Sequence, residues 1–235
     1  MMLAAYGPDD PKTMGKEGGV FLNAKDYGRA KPLLERACQG GDAFGCYDLG
    51  YMFERGLGGP GDLAKARTLY RKSCTSGSDV ACVALGVMLE RSTADHDLAD
   101  ARGLYKKACD SGNMMGCEQL GWMSYQGRGG PQDLVLTRTL YQKSCDAGSA
   151  EGCHELGDFL SRGKGGPHDM TAGRAMYKKA CEAGSGLGCY DFARALQYGE
   201  GGPEDEAAAR LFYEKACKSG DAPDALPAMC KQIGL

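Results

Sequence analysis

An all-α fold, an α/α solenoid of stacked helix pairs, is predicted by three features of this 235-residue chain. The first is a cysteine ruler. Five pairs have seven residues between them: Cys38/Cys46, Cys74/Cys82, Cys109/Cys117, Cys145/Cys153 and Cys181/Cys189; a sixth, Cys217/Cys230, has twelve. From pair to pair the first cysteine advances by 36, 35, 36, 36 and 36 residues, and a fixed period of this size marks a repeat array. The second feature is helical periodicity inside each period. The third is a glycine-rich loop that recurs in register with the cysteines.

The elements follow in chain order. Residues 1–10 read as an N-terminal segment. Residues 11–233 read as one solenoid of about six helix pairs and a terminal helix. Its first pair, about 11–39, has no cysteine in its leading helix and carries Pro32 inside its second, so it reads as a cap. Regular repeats fill about 40–220, and residues 221–235, with a helix at about 224–233, read as the closing cap.

One repeat shows the pattern. From Val80 to Glu90, Cys82, Leu85, Met88 and Leu89 form an apolar stripe at helical spacing, here called helix A. Asp97 is expected to cap the next helix, B, through its carboxylate. Leu98, Ala101, Leu104, Tyr105, Ala108 and Cys109 then follow at helical spacing. Gly112 suits the left-handed residue that ends a helix.

Four repeats join A to B through a G-x-G-G-P loop: Gly56 to Pro60, Gly127 to Pro131, Gly163 to Pro167 and Gly199 to Pro203. Glycine permits positive φ and proline presets the entry to the next helix. Asp62, Asp133 and Asp169 are the expected N-caps. A Gly-rich loop before a helix can cradle phosphate, but the lysine and hydroxyl of a phosphate loop are missing here. Helix A also repeats Leu49-Gly50, Leu85-Gly86, Leu120-Gly121 and Leu156-Gly157. A mid-helix glycine costs about 1 kcal/mol against alanine, so its recurrence predicts a close helix approach. Tyr70, Tyr105, Tyr141, Tyr177 and Tyr213 keep one register in helix B and read as packing residues.

The paired cysteines end one B helix and begin the next A helix, and the chain reverses between them. Their sulfurs can then face each other, which suits a disulfide while leaving connectivity open. Structural zinc prefers C-x(2–4)-C and four converging ligands, and no C-x-x-C redox motif is present. No metal and no cofactor are expected. Paired cysteines argue for an oxidising compartment, periplasmic or secreted, with the mitochondrial intermembrane space as the alternative. The leading MMLAAYGPDD has neither the basic start nor the apolar core of a signal peptide, so an export signal is expected to have been removed or to lie outside the chain. No stretch approaches the roughly 20 apolar residues of a membrane span. A net charge of −3 with scattered lysine and arginine gives no nucleic-acid footprint.

The unit A/G-C-x-x-L-G-x-M, then G-x-G-G-P-x-D, then A-x-x-L-Y-x-K-A/S-C, resembles the Sel1-like repeat, a relative of the tetratricopeptide repeat. With its cysteine pairs the chain is most similar to the cysteine-rich Sel1-like proteins of the Helicobacter type, over about residues 26–220. That resemblance implies a right-handed superhelix of disulfide-stapled helix pairs and a role as a protein interaction scaffold. Some members of that group carry penicillin-binding or β-lactamase descriptions, and this is the alternative function. The chain departs from the pattern by lacking the loop between Arg91 and Asp97 and by having Phe192-Ala193 for Leu-Gly.

In such arrays one helix of each pair lines a concave face, by analogy helix A. Counting one and five residues past each second cysteine gives the candidate partner-binding stripe: Tyr47, Tyr51, Val87, Glu118, Trp122, His154, Asp158, Tyr190 and Arg194, with Val83 in the same register. Tyr and Trp supply large rigid contact area. The expected partner is a protein or peptide; no nucleic acid, no membrane insertion and a monomeric chain are expected. No catalytic residue is assigned. Ser161-Arg162-Gly163-Lys164 matches S-x-x-K, but the companion S-D-N and K-T-G motifs are absent from the sequence.

Overall fold

The structure, a computed structural model, describes residues 10–91, 95–219 and Cys230. Its described residues form twelve α-helices and no strand, the class that the periodicity predicts. The chain divides into two compact units, residues 1–116 and 117–235.

The first unit holds α1 (Pro11–Asn23), α2 (Tyr27–Gln39), α3 (Ala43–Arg55), α4 (Leu63–Thr75), α5 (Asp79–Glu90) and α6 (Asp95–Asp110). The second holds α7 (Met114–Gln126, whose first turn precedes the boundary), α8 (Leu134–Asp146), α9 (Ala150–Ser161), α10 (Met170–Glu182), α11 (Gly186–Gln197) and α12 (Glu206–Lys218). The odd-numbered helices are the A helices and the even-numbered the B helices. The closing helix expected near 224–233 lies outside the described residues, except for Cys230.

Short polar side chains set the helix starts whose caps the structure describes. Asp62, Asp133 and Asp169 accept from the backbone N–H three residues on, as expected, and so do Asp10, Asp42 and Asp205. Asp97 is a correction: α6 begins at Asp95, so Asp97 lies within the helix. Its largely buried carboxylate instead accepts from Arg67 Nη2 at 3.0 Å. The repeat without a glycine loop therefore uses this aspartate to tie two B helices together.

The recurring glycine and tyrosine explain each other. A Cβ on Gly50 would stand 2.9 Å from the Tyr70 ring, on Gly86 2.6 Å from Tyr105, and on Gly121 2.9 Å from Tyr141. In these pairs the ring of the B helix fills the notch in its A helix. The hydroxyl at the far end of the ring needs a partner when buried. Tyr70 donates to Glu54 at 2.7 Å, Tyr105 to Glu90 at 3.0 Å and Tyr213 to Gln197 at 2.8 Å. Glu54 and Glu90 lie four residues past the glycine, and Gln197 four past Ala193.

Neighbouring pairs are tied by two further recurring side chains. In four repeats a lysine two residues before the first cysteine reaches back to the preceding B helix. There it donates to the carbonyl of that helix's cysteine: Lys72 to Cys38 at 2.6 Å, Lys107 to Cys74 at 2.8 Å, Lys179 to Cys145 at 2.9 Å and Lys215 to Cys181 at 3.2 Å. A cation at a helix C-terminus also meets the negative end of the helix dipole. In the other direction Arg138 donates to the Pro167 carbonyl and Arg174 to the Pro203 carbonyl, each at 3.0 Å, clasping the loop of the next repeat.

Disulfides join Cys38 to Cys46, Cys74 to Cys82, Cys145 to Cys153, Cys181 to Cys189 and Cys217 to Cys230. Cys109 and Cys117 are disulfide-bonded as well. The residues before the two cysteines are small (Ala37 and Gly45, Ala180 and Gly188), which lets Cα atoms approach to 4.4 Å at Cys38/Cys46 and 4.3 Å at Cys181/Cys189. The described helices include none long and apolar enough to cross a membrane.

Candidate functional site: the A-helix faces

In the first unit the A-helix face is aromatic with one strained carboxylate. The half-buried Tyr47 ring lies 5.6 Å from the buried Tyr70 ring, while Tyr51 is 37% exposed with the Arg55 guanidinium 5.7 Å from its centroid. Tyr47, Asp48 and Tyr51 line a cavity of about 360 Å³ with Tyr27 and Leu57. Burial, reinforced by the Asp42 carboxylate, pushes the Asp48 carboxyl up to about 6. Val87 is half-buried on α5. Val83 is only 5% exposed, so it belongs to the core and not to the face on which its register placed it. Asp48 also lines a larger hollow of about 810 Å³ between α1 and α3, beside the exposed Val20 and Phe44.

In the second unit the same face is charged. His154 Nε2 lies 2.8 Å from Asp191 Oδ2, a pair that joins α9 to α11, and the imidazole rests 5.9 Å from the Tyr177 ring. Burial disfavours the imidazolium. The Asp191 hydrogen bond and charge, with Glu155 and Asp158, outweigh it and hold the pKa above the ordinary histidine value. Asp191 in turn lies 3.6 Å from Arg194, which reaches Glu200 at 3.9 Å. The Tyr190 ring lies 5.7 Å from that of Tyr213, tilted against it at 57°. Two of the expected residues, His154 and Arg194, therefore meet through Asp191, while Tyr190 packs on Tyr213.

Asp158 is engaged within its own repeat. It binds Arg162 at 2.6 Å and Lys164 at 3.0 Å. The Lys164 ammonium also lies 4.9 Å from the Tyr125 ring centroid and 5.2 Å from that of Phe159. The lysine of the S-x-x-K match is thus held by a carboxylate and two aromatic rings.

Glu118 and Trp122 share one pocket of about 320 Å³ with Gln119, Tyr141, Glu151 and Glu155. Trp122 is 42% exposed and its ring lies 5.9 Å from Tyr125. Glu118 accepts from Ser144 Oγ at 2.6 Å and from Ser149 Oγ. No group of three or more His, Cys, Asp or Glu among the described residues is placed to hold a metal ion.

The stripe counted from the sequence missed Asp48, Gln119, Glu155 and Asp191. All four sit two residues past a second cysteine, one position beyond the register that was counted. On a helix that step turns the side chain by about 100°, still within a wide exposed face.

The six segments 15–42, 43–78, 79–113, 115–149, 150–185 and 186–221 each match the Sel1 repeat model. No curated protein matches the chain. Among solved structures, a protective antigen of uropathogenic Escherichia coli that displays the same repeat fold is 26% identical. That alignment covers 95% of this chain and 50% of that one, with a TM-score of 0.85, so the chain spans half the antigen's length. A Sel1 repeat protein from Oxalobacter formigenes is 22% identical over 94% of this chain and 90% of that one, with a TM-score of 0.82. Cysteine-rich protein B of Helicobacter pylori is 29% identical over 59% of this chain and 98% of its own, with a TM-score of 0.47. Six consecutive matches in register with the cysteine ruler place the chain in the Sel1 repeat family, whose members are generally protein interaction scaffolds.

Proposed function

We propose that the protein is a disulfide-stapled scaffold of the periplasm or the extracellular space that binds a partner protein or peptide on its A-helix faces. The observation that carries this reading is the contrast between the two sides of each helix pair. The Cys, Leu, Gly and Tyr registers are spent on packing, and one lysine register and one arginine register of the B helices on tying repeats together. Tyr51 and Trp122 stay exposed on the A helices beside cavities. Exposed aromatic side chains next to concavities are the residue types that dominate binding energy at interfaces. The disulfides support an oxidising compartment, and the likeness to a protective antigen supports a location outside the cytoplasm.

The test is affinity capture with the oxidised protein as bait on the envelope and secreted fractions of the source organism, beside Tyr51→Ala and Trp122→Ala baits. A protein held by the parent and lost from either variant supports the reading. Equal retention by all three baits moves the site off the A helices. Nitrocefin turnover that survives extensive purification and disappears in Ser161→Ala would replace the scaffold reading with a hydrolase.

A further inference from the structure

The pocket around Trp122 gathers carboxylates and aromatic rings with no cation in its own wall. Its lining is Glu118, Gln119, Trp122, Tyr141, Glu151 and Glu155, three carboxylates and two aromatic rings without a lysine or arginine. Glu118 is fixed by two serine hydroxyls, Ser144 from α8 and Ser149 from the N-cap of α9. Glu151 and Glu155 have neither a hydrogen bond nor an ion pair among the described residues. Burial is the first reason that both carboxyls stand above the ordinary glutamate value; carboxylate neighbours add to it, while His154, and Lys164 at Glu155, only partly offset it. The buried Tyr141 hydroxyl is raised first by burial and then by Glu155, Glu151 and Glu118 in turn, so all three negative charges act on this one tyrosine.

A second, independent observation says what fits there. In the same unit the chain builds an arrangement of the same kind and fills it itself. The Lys164 ammonium sits against the Asp158 carboxylate at 3.0 Å and over the Tyr125 and Phe159 rings. Tyr125 is also the neighbour of Trp122, at 5.9 Å. Aromatic faces and carboxylates attract the same guest, an organic cation. A metal ion is the poorer fit: the cavity measures about 320 Å³ and no metal-holding group forms among the described residues.

We infer that this pocket receives a lysine or arginine side chain from the partner, with the cation over Trp122 and against Glu151 and Glu155. This rests on the A-helix reading and gives it a direction: the segment bound to the second unit is basic.

Trp122 is the only tryptophan in the chain, so its emission reports on this pocket alone. The probe is an N-acetylated, C-amidated tetralysine peptide titrated into the full-length oxidised protein, with a tetraglutamate peptide beside it. The expected result is a saturable change in Trp122 emission with tetralysine only, weakened by salt. The double variant Glu151→Gln/Glu155→Gln should bind about tenfold more weakly. The charge-matched Asp146→Asn/Glu182→Gln should bind as the parent does. An absent response, or equal affinity in both double variants, overturns the inference. Partner capture separates this failure from that of the A-helix reading. A partner lost from Trp122→Ala but kept by Glu151→Gln/Glu155→Gln leaves the face as the site and removes the cation. A partner indifferent to both removes the face itself.

Discussion

The Tyr177 ring occupies the volume that a side chain on Gly157 would need: a Cβ there would stand 2.6 Å from both Cδ1 and Cε1. Gly157→Ala should therefore destabilise the protein by about 1–3 kcal/mol through overpacking. That outweighs the gain of about 1 kcal/mol in helix propensity. Gly86→Ala, facing Tyr105 at the same 2.6 Å, should behave alike. Urea unfolding checks both, and a rise in midpoint for either would show that the notch is not needed.

Lys179 and Lys178 are adjacent on α10 but do different things. Lys179 donates to the Cys145 carbonyl at 2.9 Å, whereas Lys178 faces Glu182 at 3.8 Å on the open surface. Lys179→Met should cost about 1 kcal/mol, the worth of a hydrogen bond at a helix end. Lys178→Met should change stability by less than about 0.5 kcal/mol, as exposed pairs do. Thermal melts of the two variants at one pH distinguish them.

Asp48 and His154 give stability slopes of the same sign with pH, in two different windows. The Asp48 carboxyl is raised from 3.8 to about 6, so between those values the folded chain binds more protons than the unfolded chain. Stability from this group falls as pH rises through that window. Asp48→Asn should then stabilise the protein at pH 7.5, by about 1 kcal/mol after allowing for solvent screening, and much less at pH 4.

His154 is raised above 6.5 in the fold. Its contribution is full below pH 6.5 and is lost as pH climbs through the folded value. Asp191→Asn should remove that dependence, so the parent and the variant differ more at pH 6 than at pH 9. Denaturant titrations across pH resolve the two residues.

The disulfides are local, and each closes a short loop. Replacing Cys145 and Cys153 together by alanine should cost about 2–3 kcal/mol in the chain-entropy account. Peptide mapping without reduction should return Cys145 linked to Cys153 and Cys181 linked to Cys189, with no free thiol. Abundant free thiols would undo the argument for an oxidising compartment.

Much of the fold was legible because its signals are periodic. The ruler of Cys38, Cys74 and their successors gave the repeat, and the aspartates after the glycine loops gave the helix starts. Val83 escaped because face membership was counted from the cysteine alone, and a position beside the buried Cys82 and Leu85 can turn either way. Asp97 escaped because a missing loop changes where a helix begins, while a capping side chain looks the same in sequence as a cross-repeat acceptor. Asp191 and Glu155 were hidden by a one-residue offset. The pairing of Asp191 depends on His154 meeting a residue one period and one position away, which no single repeat reveals.

The lysine and arginine clasps run in opposite directions across a junction, and both are anchored on backbone carbonyls. A carbonyl is the same whatever residue carries it. These clasps are thus indifferent to what the A helices display, in contrast to the side-chain pair of His154 and Asp191 that joins α9 to α11. Seams of this kind let whole repeats recombine with little change to the clasps that hold one repeat to the next.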